Sequence, residues 1–331
     1  MMRHSRSVIL TVVILCAGFL IASAAHGQTY VPRWLDGVVV SQKNSNLWPS
    51  AVMVDNDPRA RPQASLNNAS VVYETLAEGG VPRFMAIFAK PRVGAIGPVR
   101  SIRPYFAELA AEYKAPVFHA GGSKDGLSRL KQLKLLDMDA LRKPGAKYFY
   151  RADRSNSTFN LFTNGTRVNQ ALATAGLTKR TPMYEPWLFE TKSRPKILPN
   201  SQKPLTIDFR SGASYVTQYR YDRPTNSYRR YIGGRLHVDR LTKKPVVVKN
   251  VVVMIVPKEK VLDAKKHLKI NVLGRGKAIL LKDGRAMTIR WKKLTPGQRL
   301  TFITGPGDPI KFRPGPTWIE VVPQGKRVTI G

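Results

Sequence analysis

An apolar run at the amino terminus sets the terms on which the rest of this chain can fold. Residues 1–7, MMRHSRS, carry two arginines and no acid. VILTVVILCAGFLIASA follows, and small residues at Ala25 and Gly27 precede Gln28. A basic flank, an apolar middle and a small-residue exit are the parts of a secretory signal. The run falls short of the ~20 residues that span a bilayer comfortably, so cleavage after Gly27 is expected rather than a retained anchor. The only cysteine, Cys16, lies inside that run. The exported chain therefore folds without disulfides and must be held by its core alone. It has no thiol nucleophile and no cysteine ligand for a metal. Cys16 follows Leu15 in mid-run, which argues against lipid attachment; that would need a small residue before a cysteine at the end of the run.

Export also changes what the charge means. The 331 residues carry 55 Lys and Arg against 21 Asp and Glu, a net charge of +34. Loss of Arg3 and Arg6 with the signal leaves about +32. Residues 1–177 hold 22 basic and 11 acidic residues, and residues 178–331 hold 33 and 10, so the field is strongest in the second half. Such a field gathers polyanions. Inside a cell the first partner to consider is nucleic acid. Outside the cytoplasm, anionic wall polymers such as peptidoglycan, lipid head groups and envelope proteins come first, and exported nucleic-acid binding is a second alternative. The plainer reading is charge that serves solubility alone.

The first half alternates short apolar runs with helix signals. Residues 51–55, 69–74, 83–88 and 116–119 read as strands, and residues 104–113, 124–136 and 167–175 as helices. Pro104 suits a first helical position. From about residue 204 the pattern becomes β-rich. Residues 215–221 alternate, 246–256 form one β-branched run, and 278–281 and 286–291 flank a Lys-Asp-Gly-Arg turn typical of a hairpin. The Pro- and Lys-rich stretch 178–203 reads as a linker. The expected organisation is a signal at 1–27, an α/β part at 28–177, that linker, and a mainly antiparallel part at 204–331. The fold class is α+β, with a mixed sheet in the first part.

Several stretches resemble the YerB-like family, a bacterial envelope family of unknown function. They are AVMVDNDPRARPQASLNNASVVYETLAEGGVPRFMAIF, IGPVRSIRPYFAELAAEY and FHAGGS, with GRGKAILLKDGRAMTIRW and GPTWIEVVP later in the chain. The resemblance implies an extracytoplasmic α+β protein in two parts whose sheets can merge into one layered sandwich. It implies no reaction. The chain departs from the family twice: it lacks the lipid-attachment cysteine of many members, and Phe159 stands where Ser157-Thr-Phe-Asn160 would usually carry histidine.

The polar residues of the first half suggest a cleft. Asp55 and Glu74 close strands, Glu78 opens a Gly-rich loop, and ligand crevices form at strand ends. Two carboxylates in one cleft could divide acid and base roles, as in glycoside hydrolysis, so a peptidoglycan hydrolase is the first alternative. Arg83, Arg100 and Arg103 favour instead a carboxylate–guanidinium network. Arg100, Ser101 and Arg103 precede one helix, and His119 and Gly121-Gly-Ser123 precede another, an arrangement suited to an anion. With Asn160, these form the candidate ligand-binding cleft; catalytic residues are not assigned. Gly274-Arg-Gly276-Lys277 lacks the phosphate-loop spacing. His26, His119, His237 and His267 do not cluster, so no metal and no cofactor are expected. The leading expectation is a non-enzymatic, periplasmic or extracellular protein that binds an anionic envelope component or a protein partner, with at most peripheral membrane contact.

Overall fold

Extended β-branched and aromatic runs with few breaks set this fold, because only a sheet buried on both faces can hide them. The computed structural model describes residues 29–90, 92–153, 158–191 and 203–331. The expected signal, Cys16, Ser157 and much of the expected linker lie outside them. Ten strands make the central sheet: β1 Ser50–Val54, β2 Val71–Leu76, β3 Pro82–Phe88, β4 Val117–His119, β5 Asp137–Asp139, β6 Asn250–Val256, β7 Gly274–Lys282, β8 Arg285–Lys293, β9 Thr301–Ile303 and β10 Thr317–Pro323. Their order across the sheet is β9-β8-β7-β6-β10-β2-β3-β1-β4-β5. Both parts of the chain thus share one sheet, joined where β10 runs parallel to β2 with Glu320 opposite Glu74. β6 is parallel to β10, and β1, β4 and β5 are mutually parallel; β3, β7 and β8 pair antiparallel with their neighbours.

Helices Pro104–Ala111 (α1), Lys124–Gln132 (α2) and Gly165–Thr174 (α3) start where the sequence supplies caps. Pro104 occupies the first turn of α1, the Ser123 hydroxyl accepts from the Gly126 amide, and Asn164 accepts from the Arg167 amide. These caps satisfy donors that a helix start leaves open. Successive side chains of a strand point to opposite faces. Tyr73 on β2 reaches Glu112, just past α1, so that face packs on the helical layer. Glu74 faces the other way and meets Arg230 of a second, antiparallel sheet. That sheet comprises Leu205–Asp208, Thr217–Asp222, Ser227–Ile232, Arg235–Leu236, Val247–Val248 and Arg327–Ile330. The result is α+β: a mixed sheet through the first part and mainly antiparallel pairing in the second.

The run 246–256, expected as one strand, serves two sheets. Val247–Val248 pairs with Ser227–Ile232, whereas Asn250–Val256 is β6. The change occurs at Lys249 and Asn250, where the Asn250 amide donates to the Arg313 carbonyl and to Thr317. The β7–β8 hairpin forms as expected. Asp283 and Gly284 both take positive φ, as its two-residue turn requires. Within the expected linker, Tyr184 and Trp187 are buried, and the Trp187 indole donates to the Leu300 carbonyl at 2.7 Å. No helix among the described residues is long and apolar enough to cross a membrane.

The helical face of the seam is closed by a charged cluster. Glu112 is fully buried and accepts from Arg299 at 2.6 Å, from Lys293 at 3.2 Å and from Tyr73 at 2.6 Å. Arg299 also lies over the Trp187 ring, 3.9 Å from its centroid. Removing one partner of a buried ion pair leaves an uncompensated charge and costs about 3–5 kcal/mol. Glu112→Ala is therefore expected to lower unfolding stability by that amount in urea titrations. A loss below about 1 kcal/mol, the scale of an exposed pair, would show that the cluster does not hold the two parts together.

Candidate functional site

The carboxyl ends of β1, β2, β4 and β5 lie along one edge of the central sheet, because these strands are mutually parallel. Such an edge is where an α/β sheet forms ligand crevices. Here the loop 97–103 is laid across it. Arg100 N donates to the Met53 carbonyl, Ala120 N to the Arg100 carbonyl, and Ile102 N to the Gly121 carbonyl. Val99 and Ile102 are buried beneath this covering.

The ten predicted residues reach this region but do not form one cleft. Asp55 follows β1 and is paired with Arg100 at 2.7 Å. Glu78 is bracketed by Arg83 at 2.8 Å and Arg103 at 2.6 Å, and Arg83 also donates to the Ser101 carbonyl. This is the carboxylate–guanidinium network foreseen from arginine abundance. The Ser123 hydroxyl serves as the cap of α2, and the nearby Gly121 amide donates to Asp139 at 2.8 Å. His119 is fully buried, with Nε2 2.7 Å from Asp137 and Nδ1 2.9 Å from the Gly121 carbonyl. Asn160 accepts from Arg151, and its amide donates to Asp153 at 3.1 Å. The cations and amides expected to hold a foreign anion are thus largely matched by carboxylates of the chain itself.

Glu74 departs most from expectation. It lies inside β2 rather than at its end, fully buried, with Arg230 at 2.6 Å and the Asn56 amide at 2.9 Å. Glu74 and Glu78 have separate partners and do not share a cleft as an acid–base pair. Glu74 instead belongs to a buried set that sequence reasoning missed. Arg230 also touches His237 at 2.8 Å and Thr217 at 2.9 Å, and Tyr219 donates to Glu320. His237 Nε2 meets Gln63 at 2.7 Å. Burial, then Arg230 and Arg61, push His237 well below the ordinary histidine range, so it is neutral here. Burial, then Glu74, push Glu320 well above the ordinary carboxylate range, so it keeps its proton. Among the described residues, no three His, Cys, Asp or Glu side chains gather as a metal site.

Around these internal pairs lie exposed cations and openings. Phe159 lies between Arg59, at 4.9 Å, and Arg100, at 5.5 Å. Arg59 is the most exposed of these, and among the described residues its ionic partner is Asp57. A cleft of ≈ 640 Å³ opens at the starts of α1 and α2, lined by Arg103, Lys124, Asp125, Lys265 and His267 among others. Asp263, also on its wall, is paired with His267 at 2.6 Å. The exposed Lys124 and Lys265 make no ion pair among the described residues. Phe159 carried a signal in the sequence, as the position where the family pattern changes. Nothing local in the sequence marked Lys265, which comes from the second part of the chain.

Burial works against the charge of Glu78, but Arg83 and Arg103 outweigh it and draw its pKa down to about 2. The unfolded carboxyl titrates near 4.5. The stabilisation from this group is therefore complete above pH 4.5 and lost as pH falls toward 2. The stability difference between the wild-type chain and Glu78→Gln, followed by denaturation at pH 6, 4 and 3, is expected to shrink as pH falls. A difference that stayed constant with pH would contradict the ionised network.

Two family models match the sequence: the N-terminal domain of "Protein of unknown function (DUF3048)" over residues 35–178, and the DUF3048 C-terminal domain over residues 205–319. The chain is 31% identical over 324 residues to the "Putative lipoprotein YerB" of Bacillus subtilis (strain 168), covering 95% of each chain. Its structure is similar to the crystal structure of YerB protein from Bacillus subtilis, with a TM-score of 0.78 and 30% identity, covering 90% of this chain and 99% of that one.

Proposed function

Because the chain belongs to the two-part DUF3048, or YerB-like, family of unknown function, we propose that it is an exported cell-envelope protein that binds an anionic envelope polymer without transforming it. A relative named as a lipoprotein supports the envelope location. The amino-terminal signal pattern supports release from the cytoplasm.

One observation carries the binding reading: the charges that could do chemistry are consumed internally, and the surplus at the surface is cationic. Glu74, Glu78 and Asp55 are each held by arginine. Both nitrogens of His119 are engaged. With 55 Lys and Arg against 21 Asp and Glu, the sequence carries a net charge of +34 that one-to-one pairing cannot neutralise. Surface charge of one sign steers polyanions and weakens with added salt. The carboxyl edge offers the most suitable platform: Arg59 and Arg100 around Phe159, with Lys124 and Lys265 at the neighbouring cleft. A hydrolase reading loses its acid–base pair, since Glu74 is enclosed in the core.

The test is retention of the mature chain on purified sacculi carrying their anionic polymers, across a salt series. Lys124→Ala with Lys265→Ala, and separately Arg59→Ala, are expected to elute at lower salt than the wild type while unfolding normally. Arg103 is unsuitable for this purpose, being buried against Glu78. Unchanged elution in both variants would overturn the assignment of this edge. Release of soluble muropeptides by the wild-type protein would overturn the non-enzymatic reading.

A further inference from the structure

A second cleft lies away from the carboxyl edge and has a different character. It measures ≈ 420 Å³, within the range of about 300–1,000 Å³ that encloses small ligands. Its walls come from the lead-in segment before β1, the end of β3 and helix α3. Leu47, Trp48, Phe88, Ile96, Val168 and Leu172 supply apolar surface. α3 is docked closely at one side: Gly165 N donates to the Val93 carbonyl at 2.8 Å, and a Cβ on Gly165 would stand 2.6 Å from Val93 N. A glycine is therefore needed for this wall to close.

Among the described residues, the charged groups lining the cleft are Lys43, Lys90 and Arg180, with no acid. Lys90 is half-buried, and among the described residues its ammonium has neither a hydrogen bond nor an ion pair. Its charged neighbours are Arg33 and Asp36, which are paired to each other at 2.8 Å. Burial, then Arg33, lower the Lys90 pKa. A half-buried cation without a counter-ion costs stability unless something pairs with it. The other buried Lys and Arg among the described residues are paired, as Lys293 and Arg299 are with Glu112.

We propose that this cleft binds a single-chain anionic amphiphile. Its apolar chain would lie along the Leu47–Leu172 wall, and its head group would accept from Lys90, with Lys43 and Arg180 at the mouth. An apolar slot with a few placed polar groups fixes both the class and the orientation of such a ligand. The head group could be the carboxylate of a fatty acid or the phosphate of a monoacyl lipid; both offer the same charge and acceptor oxygens. This inference does not depend on polymer binding at the carboxyl edge, because the two sites share no residue.

Isothermal titration of the mature chain with dodecanoate, dodecyl phosphate, dodecanol and dodecylamine, below their micelle concentrations, tests it. At least one of the two anions is expected to bind at least tenfold more tightly than dodecanol, and dodecylamine not to bind. Binding by only one of the anions would identify the source as fatty acid or phospholipid. Lys90→Met keeps the apolar stem and is expected to weaken anion binding at least tenfold while leaving dodecanol unchanged. The wild-type head-group series decides the question even if Lys90→Met fails to fold. Equal binding of dodecanoate, dodecyl phosphate and dodecanol, or no binding of either anion, would overturn the proposal, as would full anion affinity in a folded Lys90→Met chain.

Discussion

The parallel contact between β2 and β10 is the constraint on which the rest of the structure depends. These strands are far apart in sequence, yet they unite the two parts of the chain in one ten-stranded sheet. The register sets Glu74 beside Glu320 in a fully buried position. Two adjacent carboxylates cannot both be ionised there. Arg230, supplied by the covering sheet, neutralises one, and a proton on Glu320 removes the charge of the other. That proton also gives a role to the Glu320 oxygen that otherwise has no hydrogen-bond partner, with Glu74 next to it as acceptor. On the opposite face, Glu112 collects Lys293, Arg299, Tyr73 and the Leu300 amide. Both clusters cross the seam, so separating the two parts would break both sets of pairs.

Buried ion pairs are weak arguments for net stability, because desolvation offsets much of their attraction. Their clearer effect here is positional. A single Arg230 contacts Glu74, Thr217 and His237, each from a different segment, and lies over Phe84 and Trp318. Displacement of β10 by one residue would turn Glu320 to the helical face and bring Ile319 or Val321 into its place near Arg230, since strand side chains alternate with a period of two. The apolar surroundings would tolerate many registers; the charged groups select one. With its single cysteine at position 16, the chain fixes this register by charge rather than by a disulfide.

Much of the fold was legible in local pattern. The strands around Ala51, Val71 and Phe84, the capped helices at Pro104 and Lys124, and the Asp283-Gly284 hairpin all announce themselves within a few residues. The YerB-like stretches extended that reading to a two-part α+β protein. The seam was not legible, because parallel pairing between residues 71–76 and 317–323 leaves no local trace. Nothing local in the sequence marked Arg230 as internal; only its place between the two sheets shows it to be fully buried. For the same reason the candidate site was legible as residue types but not as partnerships. Asp55, Glu78, Arg83, Arg100, Arg103 and His119 do gather at the strand ends. Sequence could not show that they satisfy one another and leave Arg59, Lys124 and Lys265 outside the pairs that close this edge.

A surface on which basic side chains outnumber acids suits the proposed attraction to anionic envelope material. It does so only if the two parts stay together, because the cleft at α1 and α2 draws Arg103 and Lys124 from one part and Lys265 from the other. The central claim is therefore that the seam makes one cooperative body. Native-state hydrogen exchange of residues 28–331, read at the amides of β2 and β10, measures this directly. The account predicts that both strands exchange only through global unfolding, with the same free energy and the same denaturant dependence. Exchange of either strand at a distinctly lower free energy, with one part opening while the other stays protected, would contradict it.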